Sequence, residues 1–130
     1  MNAILLIGRI IVGLFYIMTG IPHFTKLSMM SQYAASKGVP LAPAAVVLTG
    51  ILLLIAGITI ILGFYPEIGV IALVIFYLPV TFMMHNFWSV ENPMARMAEQ
   101  TNFMKNMALM GSALMYLFIR KPWPLSLMKE

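Results

Sequence analysis

The chain has 130 residues, 62% of them hydrophobic and only 9% charged, where soluble domains average roughly 45–50% and 25%. With a mean hydropathy of +0.94, that balance excludes an ordinary water-soluble domain and makes a bilayer the solvent. The net charge of +4 comes from Lys and Arg placed singly or in one pair, which suits anionic lipid headgroups and excludes a nucleic-acid patch. The lack of cysteine excludes a structural disulfide, a thiolate metal site and a thiol relay within the chain.

A first helix is expected over 3–22. Arg9, Gly13, Tyr16, Gly20 and His23 recur at steps of four, three, four and three, so they share one face, opposite a face of Ile, Val, Leu, Phe and Met. An arginine within a span turns inward or snorkels, and glycines beside it admit a second backbone. No Lys or Arg precedes this apolar run and no small-x-small site follows it, so it is expected to remain as a helix rather than be cleaved. The segment 24–43 breaks the apolar run with Lys26, Ser28, Gln32, Lys37, Gly38 and two prolines. It is expected to form a short helix on the membrane surface, ended by Gly38.

A second helix is expected over 44–62, packing through Ala45, Thr49, Leu52, Ala56, Thr59 and Gly63, with Gly50 and Gly57 on the adjacent face. The turn Gly63, Phe64, Tyr65, Pro66 is short enough to make the next helix, 67–84, an antiparallel neighbour, kinked by Pro79. Its polar stripe is Tyr77, Thr81 and His85, with Trp88 just beyond. The first and third helices cross in the same direction, so His23 and His85 are expected at one membrane surface. Asn92 and Pro93 mark a helix start, and no Gly or Pro interrupts residues 94–110, so an amphipathic lead-in with Arg96 and Glu99 feeds a fourth helix over 103–119. Arg120, Lys121 and Trp123 follow it as interfacial anchors. The whole chain reads as one all-α unit, residues 1–130, an integral-membrane four-helix transmembrane bundle with short interfacial helices. An internal repeat is faint: Phe15, Tyr16 before His23, and Phe76, Tyr77 before His85.

The series GRIIVGLFYIMTGIPHFTKL, QYAASKGVPL, IAGITIILGFYPEIG, HNFW and NFMKNMALMGSALM, in that order, resembles the DoxX family of small bacterial membrane proteins. The resemblance covers nearly the whole chain. It implies four transmembrane helices in the bacterial cytoplasmic (inner) membrane, both termini cytoplasmic. It also implies relatives tied to respiratory or thiol and oxidant metabolism, including one side of a thiosulfate:quinone oxidoreductase. Arg9, Gly20, Lys26, Gly57, Gly63, His85, Phe87, Trp88, Lys105 and Asn106 stand at positions matching family motifs. Many relatives carry a glutamate in the second helix where this chain has Leu53, so the intramembrane carboxylate that would relay protons is absent.

Arg9 reads as a structural group, paired with Glu67 or snorkelled to the surface they share, against a role in holding an anion or headgroup. It lies about 21 Å along the helix from His23, too far to form one site. Tyr16, Gly20, His23 and Glu67 complete the structural intramembrane polar set. The ligand-binding candidates are His85, Trp88, Tyr77, Lys105 and Asn106, where imidazole and amide would hydrogen-bond a quinone-like carbonyl and aromatic rings hold its plane; the alternative is a polar knot fixing the third helix on the fourth. His23 and His85 as haem or metal ligands would need Glu91 or Glu99 to join them. Met104, Met107 and Met110 could bind Cu(I), though helical methionines more often fill gaps. No nucleophile triad, phosphate loop or paired-carboxylate set is legible.

These residues fix no catalytic set, no metal and no cofactor, quinone being the candidate. The favoured function is a non-catalytic membrane subunit or accessory protein of a redox or respiratory complex, contacting quinone or lipid near His85. Its partners would be membrane lipids and other membrane-protein subunits. Two other functions stay open: a small quinone-dependent oxidoreductase, and a small-solute transporter or channel.

Overall fold

The computed structural model describes residues 1–128. Six helices follow in order: α1 (Asn2–Gly20), α2 (Pro22–Thr25), α3 (Leu27–Ser36), α4 (Ala42–Leu62), α5 (Pro66–Met84) and α6 (Pro93–Met115), with 3-10 turns at Phe87–Ser89 and Tyr116–Phe118. Three stretches are long and apolar enough to cross a bilayer: Asn2–Thr25, Ala42–Leu62 and Pro66–Ser89. The fold is a multi-helix membrane bundle.

The first span outruns its expected end. Ile21 keeps right-handed helical dihedrals and Pro22 stands at the first position of α2, where a missing N–H costs nothing, so the chain continues to Thr25 instead of stopping at 22. α3 ends at Gly38, whose φ of +82° suits glycine; Val39 N–H donates to Ala34 O at 3.1 Å and Gly38 N–H to Ala35 O at 3.0 Å, the Schellman closure. α4 closes in the same way on Gly63, with Phe64 N–H donating to Thr59 O at 3.2 Å. Only Gly63, Phe64 and Tyr65 then separate α4 from α5, which sets the two helices antiparallel. Asn92 caps α6 by accepting from Ala95 N–H at 3.0 Å, with Pro93 at the first helical position.

The amphipathic lead-in and the fourth helix form one continuous element, which ends short of residue 119. α6 starts ten residues earlier at Pro93 and gives way to a 3-10 turn at Tyr116, because nothing in the amphipathic lead-in breaks the hydrogen-bond ladder. α6 packs on α5, and its polar first half leaves it outside the three spans apolar enough to cross.

α1 buries Arg9, Gly13, Tyr16 and Gly20, and His23 of α2 continues that face. The partner face of α4 differs from the expected one: Val46, Gly50, Leu53, Gly57 and Ile60 are buried together with Ala56. The Thr49 and Thr59 hydroxyls each donate to their own helix, to Ala45 O and to Ile55 O, both at 2.8 Å, while Thr49 also meets His23 and Thr59 packs against Gly69 of α5. Close approach is set by Gly13 and Gly57. A Cβ built on Gly57 would lie 2.7 Å from Gly13 O, so the α1 and α4 backbones touch there. The core on the other side of α4 joins Tyr16, Leu53, Ala56, Ile60, Val70, Leu73, Tyr77 and Ala113. A second cluster, Ala34, Ala42 and Val46 with Met84 beside it, seats α3 against the end of the bundle where α2 and α5 finish.

Candidate functional site

α1 and α5 both run antiparallel to α4, so His23 and His85 arrive at the same end of the bundle, and Arg9 and Glu67 at the other. His85 follows the last turn of α5, where its N–H still bonds Thr81 O at 3.3 Å. Its Nδ1 lies 2.7 Å from Glu99 Oε2 on α6, with both side chains about one-fifth exposed, at 21% and 20%. A carboxylate at that distance holds the ring proton on Nδ1. Among the described residues Nε2 makes no hydrogen bond, so it accepts when the ring is neutral and donates when it is protonated.

Four aromatic rings gather at this end. Phe103 of α6 is the hub, with ring centroids 5.2 Å from Phe82, 5.4 Å from Phe87 and 5.9 Å from Trp88, each near edge-to-face. Trp88 is half exposed at 51%, so part of the cluster's flank is open to the membrane interface. Asn106, one turn beyond Phe103, is buried at 6%. Lys37 at the end of α3 reaches Asn86 Oδ1 at 3.5 Å, tying the surface helix to the loop after His85.

The ligand-binding candidates therefore divide. His85 and Trp88 share this surface region, while Lys105 is exposed and its neighbour Asn106 is buried. Tyr77 does not belong with them. It sits 2% exposed in the core and donates to Tyr16 Oη at 3.2 Å, two turns back along α5 from His85. Glu99 as the partner of His85, and Phe82 and Phe103 as ring partners, were not singled out from sequence as parts of this cluster. The available signal was helical spacing: Phe82 stands three residues before His85, and Phe103 four after Glu99. Replacing Tyr77 by Phe removes the hydroxyl that joins α1 to α5, and should cost about 0.6–1.5 kcal/mol in unfolding of the detergent-solubilised protein; the Tyr16→Phe, Tyr77→Phe double variant should lose less than the sum of the two singles.

His23 binds a different helix from His85. Its Nδ1 is 2.9 Å from Val46 O and 3.0 Å from Thr49 Oγ1 of α4, and its ring stands edge-on to Phe76. The two histidines are thus committed to different helices, and among the described residues no group of three His, Asp or Glu side chains could hold a metal ion. Gly20 packs against Leu53 Cβ at what would be 3.1 Å from an added methyl. Of the three methionines, Met104 is exposed at 63% while Met110 packs on the core, since steps of three drift around a helix.

At the other end, the expected Arg9 and Glu67 pair is not formed. Glu67 binds Lys121 Nζ at 2.8 Å. Arg9, only 3% exposed, spends its donors on backbone carbonyls: Nε to Ile60 O at 3.0 Å, Nη2 to Ile61 O at 2.6 Å and Nη1 to Pro124 O at 2.6 Å. It caps the C-terminal end of α4, where the helix dipole favours a cation, and fastens the C-terminal segment to it. Trp123 is not an interfacial anchor either. It is 2% exposed, with its ring 5.7 Å from the Arg9 guanidinium carbon and edge-to-face with Tyr116, because the chain after α6 folds back over Gly63 instead of following the membrane surface.

The DoxX family profile matches residues 4–86. The chain belongs to the DoxX family. It is also 31% identical to the inner membrane protein YphA of Escherichia coli strain K12 over 124 residues, covering 95% of this chain and 87% of that protein. No solved structure matches the chain. The DoxX match takes in Arg9, the α1 and α4 contact, and His85 itself, but stops before α6, so Glu99 and Phe103 reach His85 from outside the segment that the DoxX profile covers.

Proposed function

We propose that this DoxX protein is a non-catalytic, multi-pass inner-membrane subunit of a redox assembly, and that it offers the His85 surface to the headgroup of a quinone. The supporting observation is the His85 and Glu99 pair set beside four aromatic rings at the membrane interface. With Nδ1 held by the carboxylate, Nε2 is the free polar atom of the ring. It suits the two states of a quinone: a protonated ring donates to a quinone carbonyl, and a neutral ring accepts from a hydroquinone hydroxyl. The half-open flank at Trp88 and Phe103 suits a planar ring arriving sideways from the lipid. The DoxX resemblance to redox-linked membrane proteins supports the assembly, and the name of the Escherichia coli relative supports the inner membrane.

A small quinone-dependent oxidoreductase is the second reading, favoured by the same pair because a carboxylate-backed imidazole is a competent proton acceptor. The transporter or channel reading has no specific observation in its favour. Mild-detergent isolation from native membranes, with mass spectrometry of accompanying proteins and small molecules, separates the two that remain. A stoichiometric membrane partner and retained quinone are the expected result. The chain travelling alone, yet reducing an added quinone analogue in a manner lost in His85→Ala, would favour the enzyme. His85→Ala and Trp88→Ala should each lower quinone retention about tenfold or more while leaving the partner bound.

A further inference from the structure

The most unusual chemistry outside the His85 surface lies at the opposite end of the bundle. A cavity of about 260 Å³ opens between α1 and the C-terminal segment, lined by Leu5, Gly8, Arg9, Val12, Tyr116 and Trp123 among others. Its wall is almost wholly apolar, the polar side chains among its residues being Arg9, Tyr116 and Trp123, and the first and last of these are left incomplete. Arg9 has carbonyl partners but, among the described residues, no carboxylate within ion-pair distance, Glu67 being taken by Lys121. The end of α4 offsets only about half a charge, so a residual positive charge is buried at the cavity. Trp123, also buried, has an Nε1–H with no acceptor among the described residues, although a buried indole N–H ordinarily finds one.

We infer that this cavity binds an anionic amphiphile, with a carboxylate or phosphate oxygen received by the Arg9 guanidinium and the Trp123 N–H, and with the acyl chain lying along Leu5 and Val12. One incoming oxygen anion supplies what both groups lack: the counter-charge for Arg9 and the acceptor for the indole. The volume is slightly under the roughly 300–1,000 Å³ of small-molecule sites, which admits one chain or one headgroup and not a whole phospholipid. The exposed Ile4 at its wall places the cavity beside the lipid, so a ligand enters from the bilayer without crossing water. This site is independent of the His85 surface, which lies at the other end.

Trp123 reports on its own site. In a Trp88→Phe chain it is the single tryptophan, because the sequence has two. The protein is reconstituted and titrated with brominated fatty acid, brominated phosphatidylglycerol or brominated phosphatidylcholine, the bromine quenching indole emission on contact. The expected result is saturable quenching by one or both anionic probes, at a concentration about tenfold below that needed with the zwitterionic probe. Preference for the fatty acid assigns a free carboxylate, and preference for phosphatidylglycerol assigns a lipid phosphate. Arg9→Gln should erase the preference, but that side chain also holds the C-terminal segment. Gly8→Phe is the second variant: Gly8 lines the cavity and nothing lies within 4 Å of a Cβ added there, so the side chain starts into open space, and it should abolish saturable quenching in a folded protein. Equal, non-saturating quenching by all three probes, or quenching unchanged in Gly8→Phe, overturns the inference.

Discussion

Gly57→Val should be the most damaging single substitution in the transmembrane part of the bundle. A Cβ at this position meets Gly13 O and Ile17 Cγ1, both at 2.7 Å, and Ile17 N at 3.1 Å. Two of those three atoms are backbone, which no rotamer change can move aside. The helices would have to separate along the whole α1 and α4 seam, which ends with Gly20 against Leu53 and His23 against Val46. Overpacking of this kind costs about 3 kcal/mol or more, and without water to drive reassociation the helices have little else holding them. The expected outcome is loss of the folded detergent-solubilised protein, measured as a fall in its thermal midpoint and in its monodisperse fraction. Gly111→Ala is the control. Nothing lies within 4 Å of a Cβ at Gly111, and a helical glycine replaced by alanine should gain up to about 1 kcal/mol.

Arg9→Met should be nearly as severe for a different reason. Methionine matches the length and apolar stem of arginine but donates nothing. The carbonyls of Ile60, Ile61 and Pro124 would each lose a charged donor inside an apolar region. Leaving buried polar groups unpaired costs about 1–3 kcal/mol apiece, so a total of about 3–5 kcal/mol is expected after relaxation. Arg9→Lys should recover only part of it, since a point ammonium cannot span the end of α4 and the C-terminal segment as a planar fork does. The C-terminal segment should also loosen, which limited proteolysis reads as faster cleavage after Tyr116. Glu67→Gln, by contrast, breaks a half-exposed pair with Lys121 and should cost about 0–1 kcal/mol.

The buried face of α1 was legible because Arg9, Gly13, Tyr16, Gly20 and His23 keep one helical period over four turns, and a polar stripe in a greasy helix has only the bundle interior to face. Helix ends were legible where chemistry forces them: Gly38, Gly63 and Asn92 each do what a left-handed closure or a cap requires. The face of α4 was not, because α4 lies between α1 and α5 and is apolar all round, so small residues appear on several of its sides. What told them apart was where the α1 backbone lies, with Gly57 set against Gly13 O. The partners of Arg9 were also hidden, since backbone carbonyls leave no mark in a sequence, and Glu67 offered a more visible and wrong choice. At the His85 end, histidine, tryptophan and asparagine could be picked out by type. Their distribution between a surface cluster and the core depended on the angle at which α6 crosses α5, which no single-helix period contains.

The proposed quinone contact at His85 is tested most directly by photoaffinity labelling of native membranes with an azidoquinone, followed by peptide mapping. The expected adducts fall on residues 82–103, at or beside Trp88 and Phe103, and disappear when unlabelled quinone is present in excess. Adducts spread over the lipid-facing sides of α1 and α4, with no protection by unlabelled quinone, would contradict it.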